Sequence, residues 1–327
     1  MINLHDTKLT VSPLCLGTGS YGTGIDEATS FALMDRFVEL GGNVLDTANV
    51  YGKWGIEKTN TSEQIIGKWL KANGNCKNIV LCSKGCHYEM DTPHIQRVTP
   101  EALWQDLAES METLGVDSID LQYLHRDNPA VPVGEMVDAL HEAVHKGLVR
   151  HVGVSNWTAE RIIAAQDYAR NKYGIERFLV ADQMMWNLAI PNRAEPAGPY
   201  TLAMNDALFA FHQRSGMAVF AYSSQANGFF SKALQPDFET NPAYDGIKRA
   251  FLNEETNRRV ELVRAIAAET GFDGTQIALA WLLNQPIVTV PIIGCRTVEQ
   301  LESSFGALDA GLKEVVVEKL KMEGHRP

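Results

Sequence analysis

Residues 141–145 read HEAVH, and a further histidine follows at His151. On a helix, two histidines four residues apart present two zinc ligands on one face, and the glutamate between them acts as a general base, as in metalloproteases. The pattern raises the hypothesis of a zinc hydrolase. Five residues recur easily by chance, so the hypothesis depends on where the rest of the chain places this helix.

A second set of polar residues follows short β-type runs of the chain. Each run ends in a group that can form a hydrogen bond or carry a charge, and in order these are Asp46, Lys84, His125, Ser155, Asn156, Gln183, Tyr222 and Ser223. A charged group beside an apolar run is costly to bury unless it is paired. We therefore expect Asp46 and Lys84 to meet.

The elements that position these groups alternate regularly. The β-type runs cover residues 14–18, 43–46, 79–83, 119–124, 151–154, 179–182, 218–222 and 288–290. Between them, apolar residues recur at i, i+3, i+4 and i+7, which is the helical period. Eight strands alternating with helices predict one (β/α)8 barrel domain over residues 1–327, in which loops at the C-terminal strand ends form the catalytic face.

Two further features of this predicted barrel concern its connections. A short N-terminal hairpin is expected, with strands at 3–4 and 9–10 and its turn at Asp6 and Thr7. The connections after Asp182 and after Tyr222 are long. Long loops at this face of a barrel are typical of lids and pocket walls.

The predicted barrel also decides how HEAVH is interpreted. One face of the helix over 133–147 carries Met136, Leu140, Ala143, Val144 and Gly147. That face would pack against the barrel, with His141 and His145 at its flank and away from the catalytic face. The glycine that the longer zinc motif needs before His151 stands one position early. We interpret these histidines as exposed helix residues and a strand-start residue, which leaves zinc hydrolysis as a remote alternative.

Composition and charge exclude several classes of protein. Lysine plus arginine total 29 against 40 acidic residues, a net charge of −11, which argues against a nucleic-acid partner. The chain has no apolar run of the ~18 residues that a membrane span needs. Its start lacks the features of a secretory signal, so we expect a cytoplasmic protein without a membrane partner.

The five cysteines, at 15, 76, 82, 86 and 295, are expected to be reduced thiols. Cys82, Cys86 and His87 match no familiar zinc spacing and are interpreted as packed residues rather than metal ligands. No metal site is predicted.

Six motifs carry a resemblance to a known family. DTANVYG, LCSKG, DLQYLHRD, GLVRHVGVSNW, FAYSS and VPIIGCRTVEQL occur in order between residues 14 and 308. In this layout the chain resembles the aldo-keto reductases, in particular aryl-alcohol-dehydrogenase-like bacterial oxidoreductases. The resemblance implies a catalytic tetrad of Asp46, Tyr51, Lys84 and His125, and NADPH-dependent reduction of a small aldehyde or ketone that is reversible to alcohol oxidation.

The resemblance also implies the cofactor contacts. Ser155, Asn156 and Gln183 match residues that hold and stack on the nicotinamide, Gly19 and Ser20 match the turn beneath it, and Asp46 lies beside them. The loop after the seventh strand and the stretch after the eighth would follow the rest of the dinucleotide, through Tyr222, Ser223, Gln225, Gly294, Cys295, Arg296, Gln300, Ser303 and Ser304.

The chemistry of the tetrad agrees with these residue types. Carbonyl reduction needs a hydride, which only a cofactor supplies, and a proton for the developing alkoxide. A free tyrosine, with a pKa near ~10, holds its proton tightly at neutral pH. We expect the Lys84 ammonium to lower the pKa of Tyr51, Asp46 to keep Lys84 charged and aimed, and His125 to orient the carbonyl.

Three departures from the family pattern affect the cofactor and the substrate. KWGIEKTNT lengthens the loop before Ser62 and Glu63, and Ser224–Gln225 replaces the usual proline after Ser223. The last stretch lacks the usual Glu-Asn ending and keeps Arg296 as its phosphate ligand, because a guanidinium binds phosphate through a planar fork. We favour NADPH over NADH on this basis.

Four aromatic residues on the predicted loops are candidates for an apolar substrate pocket, with loop packing as the alternative: Tyr21, Trp54, Trp157 and Trp186. A catalytically silent nucleotide-binding sensor or scaffold on the same fold is the alternative function, because fold does not imply turnover. An intact tetrad favours chemistry over that alternative.

Overall fold

The computed structural model describes residues 1–4, 7–55, 58–74, 78–193, 198 and 200–320. By contact density the chain divides into two compact units, residues 1–183 and 184–327. The single domain over 1–327 stays a prediction. Within the described ranges, no helix has the length and apolar character needed to cross a bilayer.

An antiparallel hairpin opens the chain. It consists of β1 (Ile2–Asn3) and β2 (Thr10–Val11), with Ile2 opposite Val11. The predicted hairpin exists, with its strands one residue further from the turn than expected. Asp6 of the predicted turn lies outside the described residues.

Eight parallel strands follow and close into a barrel. Their bounds are β3 Cys15–Gly17, β4 Val44–Asp46, β5 Val80–Gly85, β6 Ile119–Leu124, β7 Val149–Ser155, β8 Leu179–Met185, β9 Ala218–Tyr222 and β10 Thr289–Ile293. Their order around the barrel is β10-β3-β4-β5-β6-β7-β8-β9. β5 and β6 are buried at every position, as expected of parallel strands covered on both faces. The predicted (β/α)8 fold is confirmed.

The first unit contains five helices within its described residues. They are α1 (Glu27–Glu39), α2 (Thr61–Ala72), α3 (Pro100–Leu114), α4 (Val133–His145) and α5 (Ala159–Tyr173). α3 begins at a Thr99 cap that accepts from the backbone of Ala102, and it ends at Gly115 in the left-handed region. Such caps fix where each helix starts and therefore where the preceding loop ends.

The second unit contains seven helices among its described residues. They are α6 (Asp206–Ser215), α7 (Phe229–Ala233), α8 (Asp245–Phe251), α9 (Glu254–Thr270), α10 (Gly274–Leu283), α11 (Val298–Phe305) and α12 (Ala310–Lys319). The connection after Tyr222, expected to be a long loop, contains α7 and α8. Phe229 packs edge-on against Phe230, Phe238 and Phe251, so aromatic packing holds helices too short to show a period.

HEAVH lies on α4, as predicted, but two details differ. Gly147 is not part of the packed face: it is exposed and left-handed, with φ 74°, beyond the helix end at His145. His141 is half-buried rather than exposed, because its ring stacks on Tyr173 with centroids 3.7 Å apart. His145 is exposed. Across the described residues, no cluster of three His, Cys, Asp or Glu side chains has a metal-binding arrangement.

The four described cysteines, Cys15, Cys82, Cys86 and Cys295, are free thiols and buried. The fifth, Cys76, lies outside the described residues. Burial raises the pKa of Cys86, and it raises the pKa of Cys295 to about 11. Both side chains are therefore neutral thiols.

Candidate active site

The centre of the site in the first unit is a buried ion pair at the ends of β4 and β5. Lys84 Nζ lies 2.7 Å from Asp46 Oδ2 and donates to the Thr47 carbonyl at 2.5 Å. The two side chains are 0% and 3% exposed, so the pair is shielded from water. The expected meeting of Asp46 and Lys84 is confirmed. Gln183 completes the arrangement by donating from Nε2 to Asp46 Oδ1 at 2.8 Å.

Tyr51 stands over this pair on the loop after β4. Lys84 Nζ lies 4.7 Å from the centre of the Tyr51 ring, and the His125 ring meets the phenol edge-on at 5.8 Å. Gly52 permits this placement: its φ is 107°, and a Cβ there would lie 2.2 Å from Thr61 Oγ1. The structure therefore brings Asp46, Tyr51, Lys84 and His125 together.

Electrostatics at the site differ from our expectation in one respect. Burial lowers the pKa of Lys84, but Asp46 and then Tyr51 outweigh it, so the pKa rises to about 12 and the ammonium is retained. Burial raises the pKa of Tyr51, and the opposing effect of Lys84 does not cancel it. The predicted lowering by Lys84 is present, but the net shift of the Tyr51 pKa is upward, because desolvation of the phenolate is the larger effect. Tyr51 thus holds its proton at neutral pH.

His125 is a neutral imidazole in this environment. Burial, followed by the charge of Arg126, lowers its pKa well below the ordinary value. Its Nδ1 atom is buried without a hydrogen-bond partner. A buried acceptor left unpaired costs less than a buried unpaired N–H, so the proton is best placed on Nε2. His125 can then donate to a carbonyl oxygen.

His87 is a neighbour of His125 that the sequence analysis assigned to packing. The two rings lie 4.6 Å apart, and His87 Nδ1 lies 2.8 Å from the Tyr88 carbonyl oxygen, which only accepts. Burial and then Arg126 lower the pKa of His87 to about 3. Its position three residues after Lys84, at a strand end, was the available sequence signal.

The loop that carries His87 is held by α3. Cys86 is left-handed, with φ 66°, and its backbone N–H donates to Asp106 Oδ2 at 2.7 Å. Arg97 donates from Nη2 to Asp106 Oδ1 at 2.8 Å and from Nη1 to the His87 carbonyl at 2.9 Å. Sequence reasoning missed this clamp, because its members are far apart along the chain.

The first unit also contains amide and hydroxyl groups suited to a carboxamide. Asn156, left-handed at φ 63°, donates from Nδ2 to Ser155 Oγ at 2.9 Å and to the His125 carbonyl at 3.2 Å. With Gln183 these are buried groups able to donate and accept, which is the chemistry a nicotinamide carboxamide requires. Gly19 lies against the Tyr51 ring, where a Cβ would be 3.6 Å from Cε2, and Ser20 follows it. The donor set fits the ring end of a nicotinamide cofactor.

The second unit contains a cationic surface at the start of α11. Arg296 is exposed, and its backbone N–H donates to Gln300 Oε1 at 2.9 Å. Burial and then the charge of Arg296 lower the pKa of Lys232, which places a second cation close to the first. Lys232 donates to the Asn227 carbonyl at 2.6 Å. A cation at a helix N-terminus with a second cation acting on it suits a phosphate, and the sequence analysis missed Lys232.

The other predicted cofactor residues of the second unit form a local network. Gln225 accepts from the Gly294 backbone at 3.1 Å and donates to Ser304 Oγ at 3.0 Å. Cys295 Sγ lies 3.7 Å from Ser304 Oγ, and Ser303 donates to Asp273 at 2.9 Å. Tyr222 ends β9, and Ser223 is left-handed at φ 51°. Gln225 therefore ties the β9 loop to the stretch around Gly294, with no proline needed.

The four aromatic candidates are placed differently from one another. Trp54 is 44% exposed and meets Tyr51 edge-on at 5.7 Å. Tyr21 and Trp157 are each 1% exposed, and the Trp157 indole donates to the Arg126 carbonyl at 3.1 Å. Trp186, in the second unit, is 3% exposed and packs against Phe209 and Trp281. Only Trp54 of the four combines exposure with contact to the tetrad, and loop packing accounts for the burial of Trp157.

The arrangement in the first unit can perform one kind of chemistry without further groups. It holds a protonated phenol, a permanent cation beside it and a neutral imidazole donor at the same place. A negative charge that develops on an oxygen near Tyr51 would meet two donors and a nearby ammonium. This suits proton donation to a carbonyl oxygen.

Comparison with known proteins agrees with this geometry. The model of the aldo/keto reductase family matches residues 13–322. The chain is 31% identical to the uncharacterized oxidoreductase YrpG of Bacillus subtilis (strain 168) over 325 residues, 97% of this chain and 93% of the relative.

Two fungal relatives have more specific names. Norsolorinic acid reductase stcV of Emericella nidulans is 30% identical over 93% of this chain and 76% of its own length. Aryl-alcohol dehydrogenase [NADP(+)] of Phanerodontia chrysosporium is 28% identical over 93% of this chain and 80% of its own length. Each similarity extends over nearly the whole chain, so it covers both the tetrad and the region of Arg296.

Proposed function

The chain belongs to the aldo/keto reductase family and is an NAD(P)H-dependent oxidoreductase, and from this we propose that it reduces aldehydes or ketones to alcohols with NADPH. Tyr51 would donate the proton, and the reverse oxidation of an alcohol would use the same groups. The observation that carries the proposal is the buried Asp46–Lys84 pair lying against the Tyr51 ring.

Each of the site residues of the first unit would have a separate role in the reaction. The nicotinamide, when bound, supplies the hydride. Tyr51 gives its phenolic proton to the carbonyl oxygen, and Lys84 stabilises the phenolate left behind. Asp46 keeps Lys84 charged and pointed at the ring, and Gln183 in turn fixes Asp46. His125 holds the carbonyl oxygen through Nε2–H, and Ser155 and Asn156 hold the carboxamide of the cofactor.

The preference for NADPH rests on the second unit. Arg296 and Lys232 are close enough for one charge to lower the pKa of the other, and an anion between them would relieve that repulsion. The 2′-phosphate that distinguishes NADPH from NADH is such an anion. The relative named as an NADP(+) enzyme supports this choice.

Replacing Arg296 by alanine is expected to raise the Kd of NADPH by about 10- to 100-fold, because hydrogen bonds to charged groups contribute about 1.5–3 kcal/mol each. The Kd of NADH should change by less than about threefold, since it has no 2′-phosphate to lose. Protein-fluorescence titration measures both constants. Arg296→Lys, which keeps the charge, should lie between wild type and Arg296→Ala, and an equal loss for the two nucleotides would remove Arg296 from phosphate recognition.

The pKa shifts predict a flat pH profile for reduction. Reduction needs Tyr51 protonated and His125 neutral, and burial raises the first pKa and lowers the second. We expect kcat/KM for aldehyde reduction to be nearly constant from about pH 6 to about pH 9 and to fall only in more alkaline solution, as Tyr51 ionises. Steady-state rates in buffers of constant ionic strength test this. An inflection near the ordinary histidine pKa would show that His125 is solvated and titrates normally.

The first experiment combines binding and turnover. Purified protein is titrated with NADPH and NADH by fluorescence, and turnover with the tighter nucleotide is then measured on aromatic and aliphatic aldehydes with EDTA present. Tight NADPH binding with EDTA-resistant aldehyde reduction supports the proposal. Binding without turnover would favour the sensor or scaffold alternative. Loss of activity with EDTA would indicate a required metal ion and favour the zinc-hydrolase alternative at HEAVH.

A further inference from the structure

One buried cation beside the tetrad is not used by the reaction as described. Arg126 follows His125 directly and is 9% exposed. Its Nη1 donates to the His125 carbonyl at 2.9 Å, and its own carbonyl accepts from the Trp157 indole at 3.1 Å. Its Nε is buried and has no hydrogen-bond partner. The guanidinium is thus fixed in place with donors left over.

Arg126 is tied to the reacting groups through His125, which it directly follows and whose carbonyl accepts from its Nη1. Its charge contributes to lowering the pKa of His125, His87 and, as a smaller effect against burial, Tyr51. His125 in turn lies within 4.6 Å of His87 and 5.8 Å of Tyr51, centre to centre. The charge of Arg126 therefore acts on the same two side chains, Tyr51 and His125, that the carbonyl of a substrate would contact.

Three buried carboxylates of the first unit are paired with cations other than Arg126. Asp127 is bound by Arg161 Nε at 3.1 Å, Asp106 by Arg97, and Asp46 by Lys84. Among the residues that the structure describes, none of the ion pairs includes Arg126. A buried charge without a counter-charge is costly, and a protein keeps one where a ligand supplies the counter-charge.

We propose that Arg126 binds a carboxylate of the substrate, so that the preferred substrates are carbonyl compounds that carry a carboxylate group. That the bound carboxylate belongs to a substrate rests on the proposed reductase activity. The anion site itself rests on Arg126 alone. A carboxylate fits because it accepts two parallel N–H bonds from one edge of a guanidinium. Since Nη1 is already used by the His125 carbonyl, the edge formed by Nε and Nη2 is the one left for the carboxylate. His87, which lies 4.6 Å from His125 centre to centre, is neutral and adds no competing charge.

The test compares two aldehydes of the same shape, 4-formylbenzoate and 4-formylbenzamide, which differ in charge. Wild-type enzyme is expected to show the higher kcat/KM for the carboxylate. In Arg126→Gln the ratio of the two kcat/KM values should fall by about 10- to 100-fold, the effect of losing charge-assisted hydrogen bonds. Arg150→Gln is the matched control: Arg150 is a surface arginine of the same unit, with its side chain 64% exposed and paired to Asp120, and the ratio should not change.

A binding measurement separates this inference from the proposed function. Benzoate and benzamide are titrated calorimetrically into wild type, Arg126→Gln and Arg126→Lys, with and without NADP+. If wild type reduces no aldehyde, the reductase proposal fails, yet benzoate binding that is lost in Arg126→Gln and weakened in Arg126→Lys still supports the anion site. Equal binding of benzoate and benzamide by wild type, or an unchanged ratio of kcat/KM in Arg126→Gln, overturns the proposed carboxylate site. Either result leaves the reductase proposal unaffected.

Discussion

Tyr51→Phe is expected to lower kcat for aldehyde reduction by about 10²- to 10⁴-fold, the range that a general acid contributes. The substitution removes one oxygen from a ring that is held by Lys84 and His125 through its faces and edges. Those contacts survive in phenylalanine. The Kd of NADPH should therefore change by less than about threefold, because the ring stays in place and the cofactor contacts assigned above involve other side chains.

The measurement for Tyr51→Phe pairs steady-state kinetics with fluorescence titration on the same preparation. Tyr168→Phe is the control, since Tyr168 also loses a phenolic hydroxyl, one bonded to Asp138 at 3.1 Å and far along the chain from the tetrad. It should keep wild-type turnover. If Tyr51→Phe kept more than about a tenth of wild-type kcat, the proton would have to come from another donor, and His125 would be the first candidate.

The fold was predictable because its signals are local and repeated. Each barrel strand is a short apolar run whose period and flanks identify it, and the structure moves the predicted bounds by at most three residues, as in Leu179–Met185 against 179–182. α7 and α8 were missed for the opposite reason. They are 5 and 7 residues long, too short for a period to show, and tertiary contacts such as Phe229 on Phe251 hold them.

The composition of the site was predictable, but its electrostatics were not. Asp46 and Lys84 could be paired from sequence, because two charges at the ends of neighbouring buried strands have to meet. The direction of the Tyr51 pKa depends on how much water reaches the phenol, which no residue type specifies. For the same reason Trp54, Trp157 and Trp186 looked equivalent in the sequence and differ in burial in the structure.

Lys84→Met is expected to lower kcat by about 10²- to 10³-fold, as loss of one preorganised electrostatic group does. Without the ammonium, the largest effect that opposes the desolvation of Tyr51 is lost, so its pKa rises further and proton donation becomes harder. The variant also leaves Asp46 as a buried carboxylate with the Gln183 amide as its described hydrogen-bond donor. Breaking a buried ion pair in this way typically lowers the free energy of unfolding by about 3–5 kcal/mol. Kinetics and chemical denaturation measure the two effects.

The double variant Asp46→Asn/Lys84→Met separates stability from catalysis. It removes both charges together, and the carboxamide oxygen introduced by Asp46→Asn would still accept from Gln183 Nε2, so no unpaired ion is left in the protein. Most of the unfolding free energy lost in Lys84→Met should return, while kcat should stay at the level of the single variant, because the phenolate is still without its cation. If stability and kcat recovered together, Lys84 would act on the reaction only by keeping the fold intact. If neither recovered, the two side chains would contribute through packing rather than through their charges.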